Sequence, residues 1–300
     1  MKKNLLKIAV IIFAVIFLLL LLDYVCYCTF LPGYKQYNLK TYFNSYIDKN
    51  VIEIDNKYIL DKQTKRNYRP IENPDSKLEP ILLFGFSSVY GLNLKNNETI
   101  SYFLKDVVKN PIINRTKAEF SPNHMYYQLS NPKFYKIVKK PKYILYFYTP
   151  KQFVLTNNKL DFCQHDVYYK IKNNTLERYE KIPIIKKSYL IAKINLYLFR
   201  NKTQLFFTKK NQFLFEKILI ESKRITQSHW GDTFKFIIIV CCKPGNKKEE
   251  QILQKLEKEN FIIFNLYEYI NFYDFFENGR PSAKYWLNVA RVLKEKLFIE

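Results

Sequence analysis

Ile81-Leu82-Leu83-Phe84-Gly85-Phe86-Ser87-Ser88-Val89-Tyr90-Gly91 is the stretch on which the reading of the fold turns. Four apolar residues are followed by a serine held between two glycines. The whole chain has only 6 glycines, so two placed six apart mark a backbone that must bend tightly. Downstream, Ile100, Phe103, Leu104, Val107 and Val108 repeat at helical spacing. Strand, tight turn with serine, then helix is one way a fold presents a nucleophile. A plain strand-to-helix connection would use the same residues.

The same alternation continues along the chain. Pro111-Ile112-Ile113 reads as a second strand, Pro122 to Leu129 as a helix and Tyr143–Tyr148 as a third strand. Phe234–Cys242 is the strongest strand, with Ile237-Ile238-Ile239-Val240 apolar throughout. Asn246 with Glu249 three residues on reads as a capping box. Ile252, Leu253 and Leu256 then give that helix its apolar stripe. Phe261–Phe264 is a fifth strand, and Trp286, Val289, Ala290, Leu293 and Leu297 line a last helix. Continuously apolar strands alternating with helices predict a three-layer α/β/α fold around a mostly parallel sheet of about five strands. Residues 150–210 break the rhythm and read as an insertion. Residues 80–300 are thus one domain, and the polar, tyrosine-rich residues 26–79 a connecting extension.

Residues 1–25 decide the compartment. Lys2 and Lys3 precede an apolar run from Leu5 to Leu22 that only Lys7 interrupts. As a helix the run is ~27 Å long, close to the hydrocarbon thickness of a bilayer. Tyr24 and Tyr27 fall at interfacial height. A cleaved signal peptide is the rival, but its apolar region is usually shorter, and no A-x-A-like site follows. The reading is a single uncleaved transmembrane helix, with the C-terminal domain outside the cytoplasm.

The formal charge is +22 and aromatic residues make up 17% of the chain. An AT-rich coding sequence produces such a lysine- and tyrosine-rich composition by itself; attraction to anionic lipid or acidic glycan is the functional reading. No zinc-finger spacing or RNP-like motif supports a nucleic-acid partner. Five cysteines without a C-x-x-C argue against a disulfide framework or a metal site.

Three blocks resemble the SGNH (GDSL-type) hydrolases, in family order over residues 80–300. The serine turn followed by Leu94 and Asn97-Glu98-Thr99 is similar to the first block. Asn114-Arg115 followed by His124-Met125-Tyr126-Tyr127-Gln128 looks like the second block of membrane-anchored bacterial members. Asn278-Gly279-Arg280-Pro281-Ser282-Ala283-Lys284 is similar to the D-G-H-P-S-A-K segment that closes the family. The resemblance implies acyl transfer from an ester to water or another hydroxyl, with Ser87 as nucleophile, its backbone N–H as an oxyanion donor, and no cofactor. Asn114 and Gln152 stand nearest the positions of further oxyanion or binding donors.

The chain departs from the family where catalysis needs it most. Phe86 replaces the aspartate of G-D-S. Glu119 falls near the second-block glycine, and Thr149-Pro150-Lys151-Gln152 lacks the third-block asparagine. Arg280 stands at the position of the catalytic histidine, and the preceding acid is replaced by Asn278 or shifted to Glu277. A guanidinium has no lone pair with which to accept a proton. Of the three histidines, His124 falls at the catalytic end of the fold, His165 in the insertion and His229 at the opposite end. His124 is the candidate base, although related members share a histidine there beside their own catalytic one, which favours a structural or substrate-binding role for it. Two functions follow as expectations: a membrane-anchored acyl hydrolase or transferase acting on a cell-envelope glycan or lipid, or an inactive relative that binds such a glycan or a partner protein.

Overall fold

The computed structural model describes residues 11, 13–22, 24–25, 53–54, 59–60, 69–92, 94–116, 120–156, 167–179, 208–277 and 280–298. Five strands form one sheet: β1 (Ile81–Phe84), β2 (Ile112–Asn114), β3 (Tyr143–Tyr148), then, after a hairpin of β4 (Tyr168–Lys172) and β5 (Thr175–Tyr179), β6 (Lys235–Val240) and β7 (Ile262–Phe264). Their spatial order is β2-β1-β3-β6-β7, and every pairing in it is parallel. The five strands expected from apolar runs are these five. The last two start one residue later than the runs, and β6 ends at Val240, two residues before its run does.

The helices follow from the period of the intervening segments: α1 (Ser87–Tyr90), α2 (Ile100–Lys105), α3 (Pro122–Leu129), α4 (Pro132–Ile137), α5 (Pro150–Thr156), α6 (Lys209–Trp230), α7 (Lys247–Lys258) and α8 (Ala283–Lys296). Side chains alternate across the sheet, so each strand feeds two cores. Leu82, Phe84, Ile144, Tyr146, Tyr148, Ile238 and Val240 pack with residues of α3 to α7. Ile81, Leu83, Leu145, Phe147, Ile237 and Ile239 pack with Val89 of α1, Ile100 and Leu104 of α2, and Tyr285 to Leu293 of α8. Burial on both faces is why these strands carry no polar alternation. Each large apolar side chain so buried contributes roughly 1.5–3 kcal/mol.

The order places a switch point between β1 and β3. The chain leaves β1 on the α2 face for β2, and reaches β3 from the other face. Crossovers diverging from neighbouring strands leave a crevice outside the strands' carboxyl ends. Ser87 begins at that end of β1, and Thr149 follows β3 there.

The folded body starts before β1. Glu72 and Ile112 exchange backbone hydrogen bonds of 3.1 and 2.9 Å, adding an antiparallel bridge to the β2 edge. Asn73, at φ 51°, donates its side-chain amide to the carbonyls of Val108 at 2.9 Å and Asn110 at 3.2 Å. The C-terminal part of the expected connector is thus part of the domain. The expected insertion is also partly ordinary structure, since α5 continues directly from β3 and α6 returns the chain to β6. The N-terminal residues described, from Ile11 to Val25, are helical with exposed apolar side chains. Much of the expected span lies outside the described residues, among which no helix is long and apolar enough to cross a membrane.

Gly91 has φ +76°, and a Cβ there would lie 2.6 Å from Thr99 Cγ2. Gly231 has nearly the same φ, +77°, but a methyl group there would meet nothing within 4 Å. Gly91, at ψ 43°, lies in the left-handed helical region, whereas Gly231, at ψ −169°, lies in the extended positive-φ region that essentially only glycine occupies, so both alanine substitutions are strained. Only Gly91→Ala adds a collision with a buried neighbour. Urea unfolding should therefore show Gly91→Ala to cost more than the left-handed backbone alone, which is about 1–2 kcal/mol.

Candidate active site

The serine turn is built by two missing side chains. At Gly85 (φ +156°) a Cβ would stand 3.1 Å from both Phe147 Cβ and Val89 Cγ2, so only glycine lets the chain leave β1 against β3. Phe86 is the residue before α1, and Ser87 is its first helical residue, half-buried. The turn closes when Gly91 N–H donates to Ser88 O at 2.9 Å and Leu92 N–H to Ser87 O at 3.0 Å. The Ser87 and Ser88 N–H groups are in the first turn, where no carbonyl of the helix can reach them.

Phe86, at the aspartate position of the resembling family, has gone into the core. Its ring meets Phe272 edge-on at 6.2 Å, and Phe272 meets Tyr285 at 5.3 Å. Tyr285 is in the first turn of α8, immediately after the block that carries Arg280. The aromatic chain therefore ties the segment before α8 to the serine turn. That segment is a short hairpin, β8 (Phe276–Glu277) against β9 (Arg280–Pro281), with Glu277 opposite Arg280. Asn278 lies outside the described residues.

The other expected site residues have framework roles. Asn114 is buried at the end of β2. Its amide donates to Val89 O at 2.9 Å, and its carbonyl oxygen accepts from Thr116 N–H at 3.1 Å. It pins β2 to the serine helix. Gln152 is fully buried; its Oε1 accepts from the Tyr146 hydroxyl and its Nε2 donates to Phe120 O, both at 3.1 Å. Its amide faces the core partners that fix α5, not an exposed oxyanion. Thr149 is buried, with its carbonyl accepting from Gln152 N–H at 2.9 Å.

His124 is 3% exposed and stacks on Phe120 with ring centres 4.5 Å apart. Its Nδ1 accepts from Ser121 N–H at 3.1 Å. That bond fixes the tautomer: the lone pair of Nδ1 is committed to the helix N-terminus, and in the neutral ring the proton sits on Nε2. A base for Ser87 needs a free lone pair, so this arrangement makes His124 a capping residue. His229 stacks on Tyr135 at 3.7 Å near the end of α6, at the amino end of the strands, opposite Ser87. His165 and Glu119 lie outside the described residues.

A polar group whose role sequence reasoning missed lies two strands along the sheet from the serine turn, after the carboxyl end of β6. Glu249, in the first turn of α7, is almost fully buried. Its Oε1 accepts from the Tyr148 hydroxyl at 3.0 Å and its Oε2 from Gly245 N–H at 2.9 Å. The capping box expected here is only half formed. Asn246 does cap α7, accepting from Lys248 and Glu249 N–H, both at 3.1 Å, while the carboxylate turns inward. Burial pushes the Glu249 carboxyl above its ordinary value, against the pull of the Gly245 and Tyr148 hydrogen bonds. Burial likewise raises the Cys241 thiol far up and the Cys242 thiol to about 12. Neither offers a thiolate at neutral pH, and Ser87 has no competing nucleophile in them. Among the described residues no group of His, Cys, Asp and Glu could hold a metal ion.

The raised Glu249 makes stability pH-dependent in a definite direction. Its folded form binds the proton more tightly than the unfolded chain does. The protonated carboxyl therefore stabilises fully below about pH 4.3, its unfolded value, and that contribution is lost as pH rises through the folded value. Glu249→Gln removes the titration. Wild type measured against this variant by urea unfolding should lose relative stability as pH rises above about 4.3 and level off once the folded value is passed; a pH-independent difference would contradict the assignment.

No family model matches the chain, and no curated protein matches it. Among solved structures it is similar to a member of the lipolytic G-D-S-L family from Veillonella parvula DSM 2008, at 11% identity over 74% of this chain and 100% of that one, with a TM-score of 0.45. It is also similar to the lipase Lip_vut3 from a goat rumen metagenome, at 9% identity over 73% of this chain and 97% of the other, with a TM-score of 0.47.

Proposed function

We propose that the chain is a membrane-anchored protein of the SGNH type whose Ser87 site acts on acyl or acetyl esters of a cell-envelope glycan or lipid, by hydrolysis or acyl transfer. The observation that carries this reading is the place of Ser87: first residue of a glycine-bracketed helix at the carboxyl end of β1, at the switch point of a parallel sheet. In such a reaction the Ser87 oxygen bonds to the ester carbonyl carbon and its proton leaves. The carbonyl oxygen gains charge near the first-turn N–H groups of α1, and the alcohol departs as the acyl-enzyme forms. Water or an acceptor hydroxyl then takes the acyl group. The exposed apolar side chains of the helical residues described between Ile11 and Val25, and the lysines before them in the sequence, support the anchor, with the catalytic body outside the cytoplasm.

Activation of the serine is the weak step. His124 is committed to Ser121, His229 stands at the far end of the sheet, and the closing block offers a guanidinium. A site of this kind without its base retains only the rate supplied by binding and oxyanion stabilisation, ~10³–10⁴ over water. Slow turnover is therefore expected. The same observation favours a second reading, a non-catalytic protein that uses the pocket to hold an anionic group on an envelope glycan or partner, with Arg280 as its cation.

A fluorophosphonate probe separates the two readings. The acyl-transfer reading expects slow labelling of the full-length protein that Ser87→Ala abolishes. No labelling, or labelling unchanged by Ser87→Ala, removes it. The double change Asn278→Asp with Arg280→His restores the family's acid and base. Esterase activity on a p-nitrophenyl acetate substrate should rise by about 100-fold or more, the range of a positioned general base. Equal activity in wild type and the restored variant would show that the wild-type site already has a base.

A further inference from the structure

We propose that Arg69 is a positioning residue for Ser87, a clamp from the segment before β1 that holds the serine turn in its working shape. The inference rests on the reading of Ser87 as the nucleophile. Arg69 lies 18 residues before Ser87, outside the three blocks, and its guanidinium reaches the far side of the serine turn. Nε donates to Tyr90 O at 2.8 Å, Nη2 to Gly91 O at 2.6 Å and to Leu94 O at 3.0 Å, and Nη1 to Asn96 Oδ1 at 2.5 Å. The plane also lies over the Tyr90 ring, 4.7 Å from its centre.

These acceptors are the groups that a short helix leaves exposed. The last carbonyls of α1 and the turn after it have no helical partner, and a cation with a fixed fork of donors suits them. Gly91 is the pivot. Its N–H and the next one along, at Leu92, close onto the carbonyls of Ser88 and Ser87, while Arg69 holds its own carbonyl from the outside. The Gly91 carbonyl also accepts from Leu94 N–H at 2.9 Å, and α1 itself is held by Asn114 on Val89 O and by the packing of Phe86 and Val89. Loss of the guanidinium therefore loosens the far end of the turn, at the Gly91 and Leu92 N–H groups that close onto Ser88 and Ser87.

The clamp is itself anchored. Glu72 is bridged to Ile112 in the sheet and Asn73 caps the carbonyls after α2, so the segment that carries Arg69 is fixed within four residues of it. Glu72 also pairs with Lys105 at 3.6 Å. A displacement of 1 Å at a reacting atom can cost about 100-fold in rate, so a residue that never touches substrate can set the reactivity of the serine.

The test uses the full-length protein in detergent micelles, as wild type, Arg69→Ala, Arg69→Lys and Ser87→Ala. Amide hydrogen exchange at Gly91 and Leu92 should accelerate at least tenfold in Arg69→Ala, with the β3 amides unchanged. The rate of Ser87 phosphonylation by a fluorophosphonate should fall at least tenfold in the same folded sample, and millimolar methylguanidinium should recover part of it. Arg69→Lys keeps the charge but not the fork, and should fall between wild type and alanine; it serves if the alanine variant fails to fold. Wild-type exchange at Gly91 and Leu92 in the variants overturns the clamp whatever Ser87 does. Faster exchange with an unchanged phosphonylation rate overturns the positioning role. Wild type that takes no label at Ser87 overturns the nucleophile reading and the positioning role with it, and the exchange rates then report on the clamp alone.

Discussion

The constraint on which the serine turn depends is the narrow gap between Phe147, Val89 and the backbone of Gly85. A Cβ in that gap would press on both neighbours at 3.1 Å, so the chain turns off β1 directly against β3. Everything at the carboxyl end of the sheet depends on that approach. It lets Val89 into the core below α8, sets Asn114 within reach of Val89 O, and brings the turn round to Gly91, where Thr99 leaves no room for a side chain. A bulkier residue at either glycine would move the serine, the end of β2 and the start of α2 together.

Much of the fold was legible because a parallel sheet covered on both faces leaves a strong trace. Ile237 to Val240 have no polar side, as a parallel strand buried on both faces requires, and their β-branched side chains and short length favour a strand over a buried helical turn. The serine turn of the candidate site was legible in outline, since glycine scarcity drew attention to Gly85 and Gly91 and their steric reasons are now plain. The partners were less so. Gln152 is held by Phe120 O and Tyr146, and nothing local in sequence announces a bond across 32 residues. His124 could have been read: Ser121-Pro122-Asn123-His124 has a capping serine, a proline at the first helical position and a side-chain acceptor at the third. Arg69 had no signal at all, because its acceptors are carbonyls that exist only once the turn has formed.

Electrostatically the carboxyl end of the sheet is quiet. The thiols are held protonated by burial, the Glu249 carboxyl is drawn toward its neutral form, and Tyr148, which shares its proton with Glu249, is raised further by that neighbour. A hydroxyl nucleophile in such surroundings must lose its proton to a group brought from outside the sheet.

Phe86 and the two glycines of the turn act together. Phe86 is buried, and its ring packs edge-on against Phe272, which in turn meets Tyr285 at the start of α8. A carboxylate at residue 86 would be a buried charge that needs a partner to offset its desolvation, whereas the aromatic ring gains contacts there. The aromatic chain fastens the start of α8 to the serine turn by packing, and the Arg69 guanidinium binds the carbonyls of Tyr90 and Gly91. The shape of the turn thus rests on packing and backbone hydrogen bonds, none of which depends on a proton being taken from Ser87.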